Sequence, residues 1–352
     1  MIVKIYNILC YYRKMKIAIT GHTGFKGTWF SYLMSRYGHK LYGFSNEIPH
    51  GGIFEIGNAI DIFELHNIGD IRNLDNFSNF LNTSKPELLI HFAAQPLVLK
   101  SYINQFTTYE TNVGGTLNVL EAVANSEECH KVIVVTSDKV YKHGSINTAF
   151  KEESSLGGQD PYSNSKAMAD LLSQSWKFNN LDKKIVIVRA GNVIGPGDIS
   201  ENRLIPDIIR AFQKREKLIV RNRYSVRPWQ YVLDCLLGYY EVIRKLEEIP
   251  NNSAWNIGPK SNEAYSVEQI VELFRTNFPE LEVEYASGKF KEIEMGNLLI
   301  NSDKAAKALN WSPKYQIADA IREISFWEKG LKDGASPRDL INTVLENYLI
   351  QQ

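Results

Sequence analysis

Short apolar runs alternate with longer amphipathic stretches along the chain from Lys16 onward. The clearest apolar runs, which predict buried strands, are Lys16–Thr20, Lys40–Phe44, Leu88–Phe92, Lys131–Thr136 and Lys184–Arg189. Helical periodicity falls between them, near Lys26–Tyr37, Phe106–Ala124 and Pro161–Phe178. Alternation of this kind is typical of repeated βαβ units, whose strands form a parallel sheet covered by helices. The predicted fold class is therefore α/β, with a doubly wound parallel sheet.

The alternation becomes irregular after about Gly191, which predicts a second, smaller lobe. Gly195-Pro196-Gly197-Asp198 is a turn signal at the expected junction. We expect an extension over residues 1–14, a first domain over 15–198 completed by part of 228–260, and a lobe made mainly of 199–352. Helical patterns in the C-terminal third are found at Ser266–Phe278, Ser302–Leu309 and Ile317–Gly330.

The segment before the first strand is apolar enough to suggest a signal peptide. It has one Lys before its apolar stretch and no small-residue cleavage site, and a strand follows at once. We therefore interpret residues 1–14 as an extension, with Met15 as the functional start. No run approaches the ~18 apolar residues that a membrane span requires.

Charge and cysteine content exclude several classes of function. The 352 residues carry 40 Lys+Arg and 40 Asp+Glu, so no basic excess indicates a nucleic-acid or anionic-membrane partner. Cys10, Cys129 and Cys235 lie far apart and are odd in number, which predicts neither a disulfide framework nor a metal site. Scattered thiols of this kind favour a cytoplasmic protein.

A glycine-rich turn joins the first predicted strand to the first predicted helix. Its spacing is G-x-x-G-x-x-G, and the strand before it and the helix after it are typical of a Rossmann-type dinucleotide site. There, backbone N–H groups and the helix N-terminus meet a diphosphate. The second strand ends in Ser45-Asn46 without the acid that usually holds the adenosine ribose, so NAD and NADP both remain open. The candidate contacts in the turn are Gly21, Thr23, Gly24, Phe25, Lys26 and Gly27.

Three later segments are further candidates for contacts with the cofactor. Asp70-Ile71 follows a short strand and could meet the adenine, although Asp70 or Asn73 could equally be a helix cap. Ala93-Ala94-Gln95 ends another strand, where small residues admit either a cofactor or close packing. Asn112 precedes two glycines inside a predicted helix, at a cost of roughly 1 kcal/mol per glycine, so a packing or polar-network reason is expected.

Ser137, Tyr162 and Lys166 form a candidate catalytic set. Ser137 follows a strand, and Tyr162 and Lys166 share one helix face at i and i+4. A phenol has a pKa near 10 and is a poor base at neutral pH unless cations lower it. Lys166 and an oxidised nicotinamide are expected to lower it, and Lys166 is also expected to hold a ribose hydroxyl. The alternative interpretation is that Tyr162 and Lys166 are only exposed neighbours on one helix face.

The order of these motifs is similar to that of the extended short-chain dehydrogenase/reductase family, also described as NAD-dependent epimerases and dehydratases. The resemblance extends from Lys16 to about Trp311 and is strongest to the nucleotide-sugar 4,6-dehydratases of the family. The matching blocks are Thr20–Trp29, Ala93–Val98, Thr136–Tyr141, Leu156–Ser163, Arg189–Gly195, Asn202–Asp207 and Val226–Gln230.

The resemblance implies an NAD-dependent hydro-lyase in which Tyr162 removes the proton of a sugar 4-hydroxyl. It further implies Asp138 as the acid that helps the C6 hydroxyl leave and Lys139 as the base at C5. Related dTDP-glucose and GDP-mannose enzymes carry Asp-Glu here, so Lys139 indicates the branch that acts on CDP-glucose. A solvated charge pair is the alternative for Asp138 and Lys139, and the division of their roles stays open.

A nucleotide-sugar substrate needs cations for its diphosphate. By resemblance Asn192 and Arg227 bind the diphosphate and Arg203-Leu204 lies near the nucleotide, with Arg221 and Gln95 as further candidates. Any one of these arginines could instead be a surface residue. Trp229 could pack under the lobe or stack on a base.

Two other functions remain open, a 4-epimerase of the same family and a non-catalytic dinucleotide-binding protein. Relatives pair through the helices near Phe106–Ala124 and Pro161–Phe178, which implies a homodimer, with a tetramer also open. The amphipathic pattern of these helices also fits burial within one chain. Relatives supply deoxysugars to surface polysaccharides.

Overall fold

The computed structural model describes residues 13–142, 149–179, 182–260, 264–286 and 298–350. Most of the predicted extension, including Cys10, lies outside the described residues. Within the part of the chain that is described, no helix is long and apolar enough to cross a membrane.

The centre of the molecule is a seven-stranded parallel sheet, which confirms the predicted fold class. Its strand order is β11-β6-β5-β4-β1-β2-β3. The five predicted strands are present, with ends shifted by at most one residue. The strands are β1 Lys16–Thr20, β2 Lys40–Ser45, β3 Phe63–Ile68, β4 Leu88–His91, β5 Lys131–Val135, β6 Lys184–Ala190 and β11 Ser253–Ile257.

Alternate residues of each strand enter two separate apolar layers. Ile17 and Ile19 of β1 belong to one layer, and Ala18 belongs to the other. This is the two-residue period of a strand buried on both faces by helices. The candidate chemistry of the sheet is therefore sought at the strand ends.

Helices of the first domain lie on both faces of the sheet. The helix predicted over Phe106–Ala124 is present as α5, a π-helical segment at Glu110–Gly114, and α6. The helices are α1 Phe25–Arg36, α2 Ile53–Ile56, α3 Leu74–Ser84, α4 Val98–Ile103, α5 Gln105–Tyr109, α6 Gly115–Asn125 and α7 Pro161–Ser175.

The second lobe consists of short strand pairs and helices. Its pairs are β7 with β10, β9 with β12 and β8 with β13. The short strands are β7 Val193–Ile194, β8 Leu218–Val220, β9 Val226–Arg227, β10 Gln230–Tyr231, β12 Tyr265–Ser266 and β13 Val283–Tyr285. The later helices are α8 Leu204–Lys214, α9 Val232–Arg244, α10 Val267–Asn277, α11 Asp303–Leu309, α12 Ile317–Lys332 and α13 Pro337–Ile350.

The last helix, α13, returns to the first domain. Arg338 donates to Tyr32 Oη and to the Gly57 carbonyl, each at 3.2 Å. Tyr348 Oη donates to Asp234 Oδ1 of α9 at 2.8 Å. The C-terminal end of the chain is therefore part of the packing around α1 and α9, a connection that the sequence pattern does not predict.

Candidate active site

The glycine loop after β1 is shaped by backbone contacts that leave no room for side chains. Gly21 has φ +71°, and a Cβ there would lie 2.7 Å from the Ala93 nitrogen. A Cβ on Gly27 would lie 2.2 Å from the Gly21 oxygen, whereas one on Gly24 would meet only ordinary contact. The loop is thus closed inside and open on the Gly24 side, where the first-turn N–H groups of α1 lack partners within the helix. This cradle fits a cofactor diphosphate.

A histidine network lies beneath this loop at the end of β2. His22 Nδ1 and Ser45 Oγ are 2.8 Å apart, and His22 Nε2 and His66 Nδ1 are 2.7 Å apart. Burial lowers the pKa of His22 to about 3, so the ring is neutral. Thr23 Oγ1 donates to the Glu47 carbonyl at 2.7 Å. The sequence signal that was missed is Gly43, whose Cβ would lie 2.4 Å from the His22 ring.

The Asp70-Ile71 segment, a candidate contact for the adenine, also makes contacts within the protein. Asp70 Oδ2 pairs with Arg72 at 2.6 Å, and this hydrogen bonding lowers the pKa of Asp70. Asn73, not Asp70, caps α3 by accepting from the Asn76 nitrogen. Ile71 is 4% exposed and packs in the core, since a Cβ on Gly115 would lie 2.5 Å from its Cδ1. Its side chain is therefore used in packing.

Asn112 connects the end of β4 to the catalytic helix. Its Oδ1 accepts from the Gln95 nitrogen at 2.8 Å, and its Nδ2 donates to Ser165 Oγ at 2.9 Å. Gln95 Nε2 donates to Thr108 Oγ1 at 3.0 Å. Both amide side chains are thus occupied within the protein, which supports the polar-network interpretation of Asn112. Ala93 packs on Gly21, and Ala94 follows it at the same strand end.

Ser137 and Asp138 lie where the chain leaves β5. A 3-10 turn begins at Asp138 and is capped by Ser137, whose Oγ accepts from the Lys139 nitrogen. Ser137 Oγ also donates to Asp138 Oδ1 at 3.0 Å, while Asp138 Oδ2 is buried without a hydrogen-bond partner. Burial raises the pKa of Asp138, against the opposite influence of Lys139, Arg227 and Lys26. The turn brings the neighbouring Asp138 and Lys139 side chains to one cavity.

Tyr162 is held at the start of α7. Asp160 caps the helix by accepting from the Ser163 nitrogen at 2.9 Å, and the Tyr162 nitrogen donates to Ser101 Oγ at 3.1 Å. Lys139 Nζ lies 6.0 Å from the centre of the Tyr162 ring. Ser101 was not predicted from the sequence, because an isolated serine in a helix gives no signal of a contact 61 residues away.

Lys166 lies one turn after Tyr162 and is 6% exposed. Its Nζ donates to the Val135 carbonyl at 2.9 Å, and burial, assisted by Lys26, lowers its pKa to about 7. Burial raises the pKa of Tyr162, which Ser137 and Arg203 oppose. In this arrangement the Lys166 ammonium is directed to the Val135 carbonyl, and the lowering of the phenol pKa by Lys166 together with an oxidised nicotinamide stays a prediction.

A buried ion pair supports this end of the sheet. Asp170, one turn after Lys166, accepts from Arg189 Nη2 at 2.7 Å and from Thr136 Oγ1 at 2.8 Å. Both charged side chains are at most 1% exposed. The pair fixes α7 against β6 and against the residue before Ser137. Sequence reasoning missed it, although an acid four residues after Lys166 was the available signal.

A cavity of about 280 Å³ lies between the first domain and the second lobe. It brings together eleven predicted site residues, and the other predicted residues do not line it. Those that line it are Phe25, Lys26, Ser137, Asp138, Lys139, Tyr162, Asn192, Arg203, Leu204, Arg221 and Arg227. The glycines, Thr23, Asp70, Ile71, Ala93, Ala94, Gln95, Asn112 and Lys166 lie outside this lining.

Arginines and Trp229 form the second-lobe side of the cavity. Arg203 Nη1 lies 3.6 Å from Asp198 Oδ2, and Arg221 Nη2 donates to the Asn202 carbonyl at 3.4 Å. Arg227 is 8% exposed, so it is not the surface residue of the alternative interpretation. Trp229 is 7% exposed and donates to the Tyr265 carbonyl at 3.0 Å, so it packs under the lobe.

A glycine cradle, a Tyr and Lys one helical turn apart and a cavity shared with a second lobe define a class of dinucleotide-dependent enzymes. The chain belongs to the NAD dependent epimerase/dehydratase family, whose sequence pattern it matches over residues 17–258. Within that family it is similar to the CDP-glucose 4,6-dehydratase of Salmonella typhimurium. The two are 37% identical over 330 residues, which cover 91% of this chain and 92% of the relative. The dTDP-D-glucose 4,6-dehydratase of Homo sapiens is 28% identical over 266 residues, 74% of this chain and 73% of the relative.

Solved structures show the same fold. The dTDP-glucose 4,6-dehydratase of Bacillus anthracis in complex with NAD has a TM-score of 0.77 at 24% identity, over 92% of this chain and 99% of that one. The dTDP-glucose 4,6-dehydratase DesIV of Streptomyces venezuelae, with NAD bound, has a TM-score of 0.78 at 20% identity over 92% and 99%. NAD is therefore the cofactor of the family to which this chain belongs. The family decides between NAD and NADP, which the sequence left open.

Proposed function

We propose that this chain converts CDP-D-glucose to CDP-4-dehydro-6-deoxy-D-glucose and water. The observation that carries the proposal is the Asp138-Lys139 turn, which brings a buried carboxyl and an ammonium to the cavity that Tyr162 lines. A 4-epimerase needs no such acid–base pair. The 37% identity to a CDP-glucose 4,6-dehydratase over most of both chains supports the same substrate.

NAD, when bound, supplies a hydride acceptor for C4 of the glucose and a hydride donor for C6. The loop of Gly21, Thr23, Gly24, Phe25, Lys26 and Gly27 would hold its diphosphate, with Ala93, Ala94 and Gln95 beside it. Lys166 would hold a ribose hydroxyl after turning from the Val135 carbonyl. Asn112 is a positioning residue in this scheme, because its amide is bonded to Gln95 and Ser165.

Tyr162 removes the proton of the sugar 4-hydroxyl, and Ser137 lines the same cavity. Asp138 then protonates the departing C6 hydroxyl, a role that requires a neutral carboxyl. Its raised pKa and its unpartnered Oδ2 support this role. Lys139 removes the C5 proton, which the neighbouring 4-ketone has acidified.

The second lobe binds the CDP group. Arg227 and Asn192 hold the diphosphate, and Arg203, Leu204 and Arg221 lie towards the nucleotide. All five line the same cavity as the catalytic turn. Asn192 follows β6 of the sheet, and the other four residues lie beyond it on the second lobe, which makes this lobe the part of the site that distinguishes one nucleotide from another.

We also expect a homodimer formed through α4 to α7. Ile103 is 81% exposed, Phe106 79% and Leu171 51%, although each is apolar. Exposed apolar patches of this kind mark protein–protein contacts. The molecular mass of the assembly in solution distinguishes this dimer from a tetramer, which is the alternative. A cytoplasmic location is consistent with the free, buried Cys129 and Cys235.

The test is a panel of CDP-, dTDP-, UDP- and GDP-glucose, each incubated with purified protein and NAD. We expect a 4-keto product that absorbs in strong alkali, formed fastest from CDP-glucose. Formation of CDP-galactose would show that the chain is a 4-epimerase and not a dehydratase. Turnover of none of the four would contradict an enzymatic role, and preference for another nucleotide would contradict the CDP assignment.

A further inference from the structure

The turn that brings Asp138 and Lys139 to the cavity is too short to fix its own direction. It has three residues, and Ser137 supplies its hydrogen-bond acceptors. The Ser137 side chain accepts from the Lys139 nitrogen at 3.2 Å, and the Ser137 carbonyl accepts from the Val140 nitrogen at 3.3 Å. Hydrogen bonds of 3-10 geometry are poorly aligned. The directions of the two side chains therefore depend on what holds the chain before and after the turn.

Tyr141 holds the chain directly after this turn. Its side chain is fully buried and its ring stacks on Phe150, with the ring centres 5.0 Å apart and the planes 5° apart. Its hydroxyl donates to Asn256 Oδ1 at 2.6 Å and accepts from Arg189 Nη1 at 3.0 Å. Burial raises the pKa of Tyr141 to about 12, so the hydroxyl keeps the proton that it donates. Both the ring and the hydroxyl of Tyr141 are thus fixed.

Arg189 connects this tyrosine to the chain on the other side of the turn. Its Nε and Nη2 donate to the two carboxylate oxygens of Asp170 at 2.8 and 2.7 Å. Asp170 also accepts from Thr136 Oγ1 at 2.8 Å. A bidentate pair of this kind fixes orientation as well as distance. The residues on the two sides of the catalytic turn are therefore joined by one buried network.

The hydroxyl of Tyr141 is not required to fill the core. Phenylalanine would fill the same volume in the small apolar cluster to which the ring belongs. A buried polar group costs free energy unless it is hydrogen-bonded, and a satisfied network specifies one arrangement. Asn256 completes this network, because its Nδ2 donates to the Phe150 and Asn301 carbonyls at 3.0 and 3.1 Å. The hydroxyl therefore contributes orientation to this region rather than volume.

The groups assigned to oxidation at C4 are held by other contacts. The Tyr162 nitrogen donates to Ser101 Oγ at 3.1 Å, and Lys166 Nζ donates to the Val135 carbonyl at 2.9 Å. Neither of these two contacts includes Tyr141. Removal of the Tyr141 hydroxyl should therefore disturb the turn and leave the Tyr162 and Lys166 positions in place.

We infer that Tyr141 is a positioning residue that directs Asp138 and Lys139 towards the sugar, and that it serves the elimination of water rather than the oxidation at C4. The inference rests on the proposed function, which assigns those two side chains to the elimination. Without the hydroxyl, Asn256 Oδ1 and one Arg189 N–H lose a partner, so the network rearranges and the turn moves with it. A displacement of about 1 Å can slow a reaction about 10²-fold.

Single-turnover kinetics of Tyr141→Phe with CDP-glucose test the inference. Mass spectrometry with substrate deuterated at C4 or C5 measures the two steps separately. We expect loss of the C5 deuterium to slow about ten- to a hundred-fold, while transfer of the C4 deuterium stays within about three-fold of the unmodified protein.

Tyr32→Phe is the matched control. The Tyr32 hydroxyl also donates to an amide oxygen, that of Gly57 at 2.7 Å, and also accepts from an arginine, Arg338 at 3.2 Å. It is a buried side chain outside the cavity lining. Tyr32→Phe therefore loses the same kind of hydrogen bonds, and we expect it to slow neither step selectively.

Three outcomes would overturn the inference. Tyr141→Phe could slow both steps equally, it could slow neither, or Tyr32→Phe could show the same selective loss at C5. Should Tyr141→Phe fail to fold, Asn256→Ser removes the acceptor of the same hydrogen bond, and the same selective loss at C5 is expected.

A second measurement needs no nucleotide sugar and so separates this inference from the proposed function. Peptide mass spectrometry measures how fast Lys139, which is half-buried, reacts with an acylating reagent, relative to the exposed Lys40. Tyr141→Phe should raise this ratio about three-fold or more, because a turn that has lost a contact opens locally more often. An unchanged ratio would overturn the inference even if the unmodified chain turned over no nucleotide sugar. A chain that dehydrates CDP-glucose but shows no selective loss in Tyr141→Phe loses only the inference about Tyr141.

Discussion

Asp138 shows at the scale of one residue how a folded chain prepares a carboxyl group to donate a proton. One oxygen accepts from Ser137 and the other is buried without a partner, and burial raises the pKa. The nearby cations Lys139, Arg227 and Lys26 limit this rise. The protonation of Asp138 therefore depends on the balance between desolvation and these three charges.

Asp138→Asn removes the acidic proton and keeps the shape of the side chain. We expect kcat with CDP-glucose to fall about 10²- to 10⁴-fold, the usual contribution of a general acid. The free energy of unfolding measured with urea should change by less than about 1 kcal/mol, because Asp138 forms no ion pair with the described residues. A near wild-type kcat would remove Asp138 from the mechanism.

Lys139→Met tests the base that distinguishes this chain from relatives with Asp-Glu. We expect a loss of dehydration of about 10²-fold or more, while exchange of the C4 hydrogen with the cofactor persists, because Tyr162 and Lys166 are retained. Mass spectrometry with substrate deuterated at C4 or C5 measures the two steps separately. Retained loss of the C5 deuterium would assign the base elsewhere.

Eleven of the candidate residues predicted from the sequence line one cavity, because the carboxyl ends of parallel strands meet at one edge of the sheet. The sequence did not reveal which partner each residue has. Asn112 was identified through the local cost of its glycines, but its bonds to Gln95 and Ser165 join residues 17 and 53 positions away. Such contacts depend on tertiary packing, which a periodic pattern does not encode.

At the scale of elements, the interruption between α5 and α6 has a local cause. The periodicity predicts one helix, whereas the chain forms a π-helical segment at Glu110–Gly114. Directly after it, Gly115 approaches Ile71 so closely that a Cβ would lie 2.5 Å from the Ile71 Cδ1. The glycine is needed for helix packing, and the preceding turn widens where Asn112 faces β4.

Gly115→Ala and Gly114→Ala form a matched pair. Gly115→Ala should lower the free energy of unfolding by about 1–3 kcal/mol, because Ile71 must move. Gly114→Ala should raise the free energy of unfolding by up to about 1 kcal/mol, since no described atom outside its own stretch of helix lies within 4 Å of the added Cβ and alanine favours the helix. Urea unfolding measures both, and equal changes would show that packing on Ile71 is not the reason for Gly115.

At the scale of the whole molecule, two buried histidines make stability depend on pH. Burial lowers the pKa of His22 and of His91 to about 3, against 6.5 for the unfolded chain. His91 lies between Thr20 and Thr116, with ring nitrogens 2.8 and 3.1 Å from their hydroxyls. Below pH 6.5 the unfolded state binds protons that the folded state excludes, so stability falls as the pH drops towards 3.

His91→Gln should reduce this pH dependence. When the pH falls from 7 to 5, the exclusion of a proton from His91 lowers the free energy of unfolding by about 1–2 kcal/mol. The variant lacks this contribution. The variant is less stable than the unmodified protein at both pH values, but its free energy of unfolding changes less between pH 7 and pH 5. Urea unfolding at each pH checks this, with His50→Gln, whose side chain is 98% exposed, as the control. If the free energy of unfolding of His91→Gln changed as much between pH 7 and pH 5 as that of the unmodified protein, His91 would not be a source of the pH dependence.

The domain arrangement was less accessible from the sequence than the order of strands. After the turn at Gly195–Asp198, β11 returns to the sheet beside β6, within the 228–260 range expected to complete the first domain. The helix α13, with Tyr348 bonded to Asp234, returns later still. The return of α13 follows from the shape of the completed core, and no local residue pattern predicts it.

The late return of β11 and α13 has a consequence for synthesis of the protein. During translation the first five strands emerge long before the strand that flanks β6 and the helix that covers α1 and α9. Until β11 leaves the ribosome, the β6 edge of the sheet stays unpaired, and until α13 follows, part of the apolar surface stays uncovered, a state prone to aggregation. A ribosome stalled before residue 337 would therefore hold a nascent chain that depends on chaperones.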